Sequence, residues 1–257
     1  MAGFDNMARF MSPNLAIAAG VDSGMTVRNK FGRVASLAAD TLGAIWDVGG
    51  PYPFPTSETI THIRQVVDQV AMRGGTMVIE GADINFNTVI QSKSLDATNT
   101  TTLVELDTPL FRIRRIVVAY NAVADSAIEA VNAAGTVIYA RVSVGETIGY
   151  NQTLMCIDYV PAGHTAYLCK MDMSLNPETN QNPTSMLLHL FRADIGNDFA
   201  PCVEHTTGLD PTGNSFIPIK WDYFKKIEEK NDFWVQGFPV GKSADISASI
   251  NYILVKN

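Results

Sequence analysis

The sequence is short of charge. Asp, Glu, Lys and Arg make up 18% of the 257 residues, whereas 46% are hydrophobic, and a typical soluble domain is about one quarter charged. The net charge is −7, and the basic residues are scattered apart from small clusters at Arg112, Arg114 and Arg115 and at Lys225 and Lys226. A protein that binds nucleic acid needs a basic face to release counterions from the phosphates. The composition therefore predicts no nucleic-acid partner.

Cysteine and long hydrophobic runs are also scarce. Cys156, Cys169 and Cys202 are odd in number, and their spacing fits no disulfide framework, metal site or redox motif. We expect Cys169 to be a buried free thiol, which suits a reducing compartment. The run LAIAAG at 15–20 is too short for a signal-peptide core, and no stretch approaches the ~20 apolar residues of a membrane span. The sequence predicts no membrane partner.

Catalytic signatures are absent. The chain contains no GxGxxG, GxxxxGK[ST], HExxH, CxxC or GxSxG pattern. His62 and His189 lie in apolar, strand-like runs that are typical of structural histidines. Cys202, Glu204 and His205 are close in sequence, but adjacent residues on a strand point to opposite faces, so they do not form a metal site. We predict no catalytic residue, no cofactor and no metal.

The chain is rich in short alternating segments that are bounded by Gly, Pro and Asn. Residues 244–255 (ADISASINYILV) alternate most clearly. The segment 111–120 (FRIRRIVVAY) begins in alternation and shifts phase at Arg114–Arg115, which predicts a β-bulge. About ten such strands and few helices predict an all-β protein with two consecutive, jelly-roll-like β-sandwich domains. We place these domains at residues 57–148 and 149–257.

The first 56 residues have weak periodicity, and a short helix at 34–45 is the main element that the pattern suggests. We therefore predict that residues 1–56 form an extended N-terminal arm, which is long enough to reach a neighbouring subunit. Two further segments are ambiguous. We favour strand over helix for residues 57–72, and a loop with a short turn for residues 219–230.

The segment IWDVGGPYPFP at 45–55 is unusual because aromatic residues and prolines surround two glycines. Its prolines favour an extended, polyproline-like backbone that loses little entropy on docking. Trp46, Tyr52 and Phe54 offer large apolar faces for burial. The segment either covers an edge of its own sandwich or packs on a neighbouring subunit. In the second case Trp46, Tyr52 and Phe54, together with Phe31, are the candidate residues of a partner interface.

Several stretches together resemble a family of virion structural proteins of tailed bacteriophages. They are RNKFGR at 28–33, IWDVGGPYPFP at 45–55, VIEGADINFNTVIQSKSL at 78–95, CIDYVPAGHTAYL at 156–168, IEEKNDFWVQG at 227–237 and the closing ISASINYILVKN. The Trp-Asp-x-Gly-Gly-x-Tyr segment and the Gly81–Asn87 segment are the most distinctive. The resemblance implies a non-enzymatic component of the phage particle, which is made in the cytoplasm of the bacterial host.

Three functions follow as hypotheses. The first is a capsid decoration or cement protein, a homotrimer on the shell exterior that contacts the major capsid protein or another virion protein. The second is a tail, neck or fibre component with a receptor- or carbohydrate-binding β-module, in which Trp221, Tyr223 and Trp234 stack on sugars. The third is a glycan-cleaving enzyme, which would need two carboxyl groups in one groove. The sequence alone nominates no such pair.

Overall fold

The computed structural model describes residues 24–119, 123–144, 151–176, 183–194, 198–210 and 216–257. These residues form sixteen strands and one 3-10 turn, at Val70–Met72, without an α-helix. The strands are β1 (Met25–Leu37), β2 (Gly43–Ala44), β3 (Ile60–Gln65), β4 (Thr76–Ala82), β5 (Thr88–Ser94), β6 (Val104–Leu110), β7 (Arg112–Val118), β8 (Ile128–Val131), β9 (Ile138–Val142), β10 (Ile157–Tyr159), β11 (His164–Asn176), β12 (Ser185–Asp194), β13 (Pro201–Leu209), β14 (Phe216–Ile227), β15 (Asn231–Val240) and β16 (Ala244–Lys256). The prediction of an all-β protein is confirmed. No helix in these ranges is long and apolar enough to cross a membrane.

The strands form four antiparallel sheets. Sheet A has the order β1-β16-β11-β14, and sheet B has the order β10-β15-β12-β13 with β2 also paired to β15. Sheet C has the order β6-β3-β8-β9, and sheet D has the order β5-β4-β7. Strands β3 to β9 thus build sheets C and D, whereas β1, β2 and β10 to β16 build sheets A and B.

Sheets A and B pack face to face as one sandwich. Met171 and Ile250 of sheet A and Leu188 and Val235 of sheet B belong to the same buried apolar cluster. Along β16 the inward side chains alternate with outward polar ones, as the sequence indicates for 244–255. We call this unit the A/B sandwich.

A second cluster fills the space between sheets C and D. It contains Ile60 and Ile128 of sheet C and Ile79 and Ile116 of sheet D, and it continues onto Trp234 of sheet B. We call sheets C and D the C/D sandwich. Because β15 contributes alternate residues to the two clusters, sheet B is covered on both faces.

The N-terminal part of the chain differs from the expected arm. Strand β1 pairs with β16 from Met25, opposite Val255, to Leu37, opposite Ala244. Residues 34–45 complete β1 and form β2, where the sequence suggested a short helix. Residues 25–44 therefore belong to the A/B sandwich, because β1 pairs with β16 and β2 pairs with β15 of the same chain. Residues 1–23 lie outside the described residues.

Other local predictions had mixed outcomes. The predicted bulge is confirmed, because Glu80 pairs with Arg115 and Gly81 with Ile113, which leaves Arg114 as the extra residue of β7. In the segment 57–72 only residues 60–65 are a strand. The loop predicted for 219–230 is wrong, since most of that segment is β14.

Candidate functional site

The aromatic segment 45–55 packs on its own chain. The ring of Trp46 meets Tyr52 edge-on at a centroid distance of 5.0 Å, and Tyr52 meets Phe54 at 4.8 Å. Phe54 then contacts Trp234 at 4.7 Å, and Trp234 stacks on Phe191 at 5.3 Å. This row of five rings covers the face of sheet B that is turned towards the C/D sandwich.

The glycines give this segment its turn. Gly49 and Gly50 have φ values of 71° and 69°, in the left-handed region that favours glycine. The indole N–H of Trp46 donates to the carbonyl of Gly49 at 3.0 Å, and the amide of Ala44 donates to the carbonyl of Gly50 at 2.9 Å. The Trp-Asp-x-Gly-Gly-x-Tyr pattern therefore encodes a closed turn that holds Trp46 against the core.

The four predicted partner-interface residues separate into two groups. Trp46 and Tyr52 are buried, with exposed fractions of 2% and 7%, and Phe54 is half-buried against the same cluster. Phe31, on the outer face of sheet A, is 37% exposed. In this fold Trp46 and Tyr52 cover their own chain, which is the first of the two alternatives drawn from the sequence, and Phe31 alone of the four offers an open surface.

Sequence reasoning missed a more extensive apolar surface on sheet A. Val27, Ile253 and Tyr167 lie in register on neighbouring strands β1, β16 and β11, and Lys226 of β14 continues the row. Met25, Tyr167, Phe224, Ile253 and Val255 line a shallow depression of about 260 Å³ on this face. We call these five residues and Val27 the apolar band.

An irregularity in β14 borders the apolar band. Leu168 pairs with Lys225 and Lys170 pairs with Lys220, so residues 221–224 of β14 face a single residue of β11. This four-residue bulge leaves Tyr223 89% exposed and Phe224 56% exposed. Edge strands are commonly protected by bulges and charged residues, but this bulge instead presents two aromatic side chains. These residues lie in the segment 219–230, for which the sequence predicted a loop with a short turn.

A second feature is a charged cavity between the two sandwiches. It measures about 210 Å³ and lies between β1 of sheet A and β4 and β7 of sheet D. Its charged lining residues are Arg28, Lys30, Glu80, Arg114, Arg115 and Asp158. The bulge at Arg114 turns this side chain inward, where it is buried, while Arg115 stays exposed.

The two carboxylates of the cavity are held by arginine. Glu80 accepts hydrogen bonds at 3.1 Å from both Arg28 and Arg114, and Asp158 accepts from Arg114 Nε at 2.8 Å and from the Tyr252 hydroxyl at 2.7 Å. Although burial opposes ionisation, the nearby Arg114 lowers the pKa of both carboxyl groups. A glycosidase acid needs a raised pKa. Neither carboxyl group of this pair has its pKa shifted in that direction.

The remaining polar candidates have structural partners. His189 shares a hydrogen bond of 2.9 Å with the Thr206 hydroxyl, and Glu204 accepts from Arg192 at 2.8 Å. Cys156 is buried, Cys169 is half-buried and Cys202 is exposed. The sequence predicted a buried thiol at Cys169, and the structure buries it only in part. Within the described ranges, no three His, Cys, Asp or Glu residues are grouped so that they could hold a metal ion.

Comparisons with known proteins show no established relative of this chain. No family model matches the chain, and no curated protein matches it. Among solved structures, T=1 particles derived from infectious bursal virus share 9% identity over 97% of this chain and 85% of that chain, with a TM-score of 0.15. The VP2 subviral particle of infectious bursal disease virus shares 7% identity over 91% and 81%, with a TM-score of 0.14. TM-scores this low do not establish a shared fold.

Proposed function

We propose that this chain is a non-enzymatic structural protein of a tailed-phage virion, a decoration or cement protein that binds the shell exterior as a homotrimer. The observation that carries the proposal is the apolar band with its neighbouring aromatic bulge. These residues cross all four strands of sheet A and include exposed aromatic side chains on an extensively paired scaffold. Aromatic anchors of this type dominate the energy of protein–protein interfaces.

The mechanism is burial of apolar area. Phe224 is 56% exposed and Val27 47%, so covering either side chain contributes about half of the ~1.5–3 kcal/mol of complete burial. Repetition over many copies on a shell lattice turns such modest contacts into strong cohesion. The rigid sandwich below the band limits the ordering cost of binding, because most of its backbone is already hydrogen-bonded in sheets.

Stoichiometry tests the location. Quantitative mass spectrometry of purified virions, calibrated against the major capsid protein, is expected to give hundreds of copies per particle. A few to a few dozen copies would instead support the tail, neck or fibre alternative. Light scattering of the purified protein is expected to give three times the chain mass, and a monomer would contradict the trimer.

Paired surface variants test the interface. The double substitution Tyr223→Ser with Phe224→Ser is expected to reduce incorporation into particles at least tenfold. The matched control is Ile90→Ser, because Ile90 is 68% exposed and lies on β5 of the C/D sandwich. Equal incorporation of both variants would reject the apolar band as the binding surface.

The carbohydrate-binding alternative depends on aromatic side chains that are open to sugars. Trp234 is 4% exposed and stacked on Phe191, and Trp221 is half-buried against the A/B core. Of the three residues considered, only Tyr223 is fully available for stacking. We therefore favour the shell over a sugar-binding module.

A further inference from the structure

The charged cavity between the sandwiches contains more positive than negative charge. Its lining includes four cations, Arg28, Lys30, Arg114 and Arg115, against the two carboxylates of Glu80 and Asp158. The chain as a whole has a net charge of −7. Arg28 and Arg115 are 34% and 51% exposed, so water screens part of this excess of positive charge, and an anion in the cavity would offset the rest.

Among the described residues, at least one donor of the cavity has no hydrogen-bond partner. The Nε atom of Arg28 is buried and has no hydrogen-bond partner among the described residues. The nearest approach of Arg115 to Glu80 is 4.0 Å, which is too long for a hydrogen bond, and its side chain is 51% exposed. Lys30 donates to the backbone oxygen of Arg114, and an ammonium group has three donors.

The volume also fits a small ligand. The cavity of about 210 Å³ is several times the ~30 Å³ share of one water molecule. Arginine forks are suited to bidentate contacts with oxyanions. We propose that this cavity binds one small tetrahedral oxyanion, phosphate or sulfate, through Arg28 and Arg115, and that the anion ties β1 of the A/B sandwich to β7 of the C/D sandwich.

Glu80 competes with such an anion. Its carboxylate occupies the Nη1 donors of Arg28 and Arg114 on one side of the cavity. Removal of this negative charge by Glu80→Gln keeps an amide oxygen that can accept from those donors, but it weakens their hold on this position and is expected to strengthen oxyanion binding. If phosphate acted only by screening surface charge, the loss of the Glu80 charge would not strengthen phosphate binding.

The test is a phosphate titration of the full chain at pH 7 and constant ionic strength, with chloride as the replaced ion. Isothermal titration calorimetry should show one site per chain, and the melting temperature should rise and then level off with phosphate. Arg115→Gln is the main variant, because the exposed Arg115 side chain can be replaced without disturbing the core. It is expected to weaken binding at least tenfold, as is Arg28→Gln, whereas Glu80→Gln strengthens it.

The matched control is Lys220→Gln, which removes a positive charge from the exposed outer face of sheet A. It should bind phosphate like the unaltered chain. The proposal is overturned if phosphate and chloride have the same effect, or if Lys220→Gln and Arg115→Gln weaken binding equally. Sulfate replaces phosphate in a second titration, and binding of either anion with this variant pattern supports the site. Since the assay uses the isolated protein, its outcome is independent of the location of the chain in a virion.

Discussion

Arg112 and Asp232 are 120 residues apart in the chain and form a buried, two-pronged ion pair. Arg112 Nε donates to Asp232 Oδ1 at 2.8 Å, and Nη2 donates to Oδ2 at 2.7 Å. Arg112 lies on β7 and Asp232 on β15, so the pair connects the C/D and A/B sandwiches. The Arg112 guanidinium also lies 3.8 Å from the centre of the Phe111 ring, which adds a cation–π contact.

Loss of one partner of this pair should be costly. Arg112→Met leaves the Asp232 carboxylate buried and unpaired, so the free energy of unfolding is expected to fall by about 3–5 kcal/mol. The double substitution with Asp232→Leu should recover part of the loss, because no uncompensated charge remains, although the carbonyls of Pro55 and Phe111 lose the Arg112 Nη1 donor. Urea denaturation of the two variants checks this prediction. A loss below about 1 kcal/mol for the single variant would show that the pair is not a major link.

The aromatic segment gives a second prediction. Trp46→Ala opens a cavity beside Tyr52 and is expected to cost about 3–5 kcal/mol of unfolding free energy. Phe31→Ala should cost less, about 1–2 kcal/mol, since Phe31 is on the outer face of sheet A and is 37% exposed. Thermal or urea unfolding of the isolated chain distinguishes them. Equal and small losses would indicate that Trp46 is not a core residue.

These results show which features the sequence could predict. The bulge at Arg114 was predictable because a phase shift in an alternating strand has one simple structural cause. Strand β1 was missed because its inward positions include Arg28, Lys30 and Gly32 rather than apolar residues. Arg28 and Lys30 line the charged cavity, and Gly32 lies against the backbone of Ile45 and Cys156. The usual hydrophobic alternation is therefore absent in β1.

The partners in the candidate sites could not be predicted in the same way. Arg28 and Glu80 are 52 residues apart, and only the packing of sheet A on sheet D brings them together. Likewise, no local sequence pattern indicates that residues 221–224 form a four-residue bulge opposite one residue of β11. The composition of segment 45–55 correctly indicated burial, but it left open whether the covered surface belonged to the same chain.

Lys30 predicts a pH dependence of stability. Burial lowers the pKa of Lys30 from 10.5 to about 8, despite the opposing effect of Asp158. Because the unfolded chain holds this proton more tightly, the contribution of Lys30 to unfolding free energy rises with pH between about 8 and 10.5. The full change is on the order of 3 kcal/mol.

The substitution Lys30→Met isolates this effect. The unfolding free energy of the unaltered chain minus that of Lys30→Met should rise as pH increases from 8 to 10 in a phosphate-free buffer, because only the unaltered chain carries the buried amine. Asp158, Glu80, Arg114 and Cys156 also face this amine, and burial raises the pKa of the Cys156 thiol to about 12. Those groups titrate in both proteins, so the comparison largely removes their contribution. A difference that is constant with pH would refute the lowered pKa.

Gly32, in the stretch RNKFGR, tests how closely β1 packs against the backbone of Ile45 and Cys156. A Cβ atom at this position would lie 2.3 Å from the amide nitrogen of Cys156 and 2.5 Å from the carbonyl oxygen of Ile45. Those two atoms are hydrogen-bonded to each other at 2.8 Å, so neither is free to move away. Gly32→Ala is therefore expected to cost about 3 kcal/mol or more. Gly208→Ala is the matched control, because its nearest neighbour would be a flexible Leu187 methyl group at 3.9 Å. Urea denaturation should show a change of less than about 1 kcal/mol for that control, and similar values for both variants would mean that β1 does not approach the 154–156 segment as closely as described.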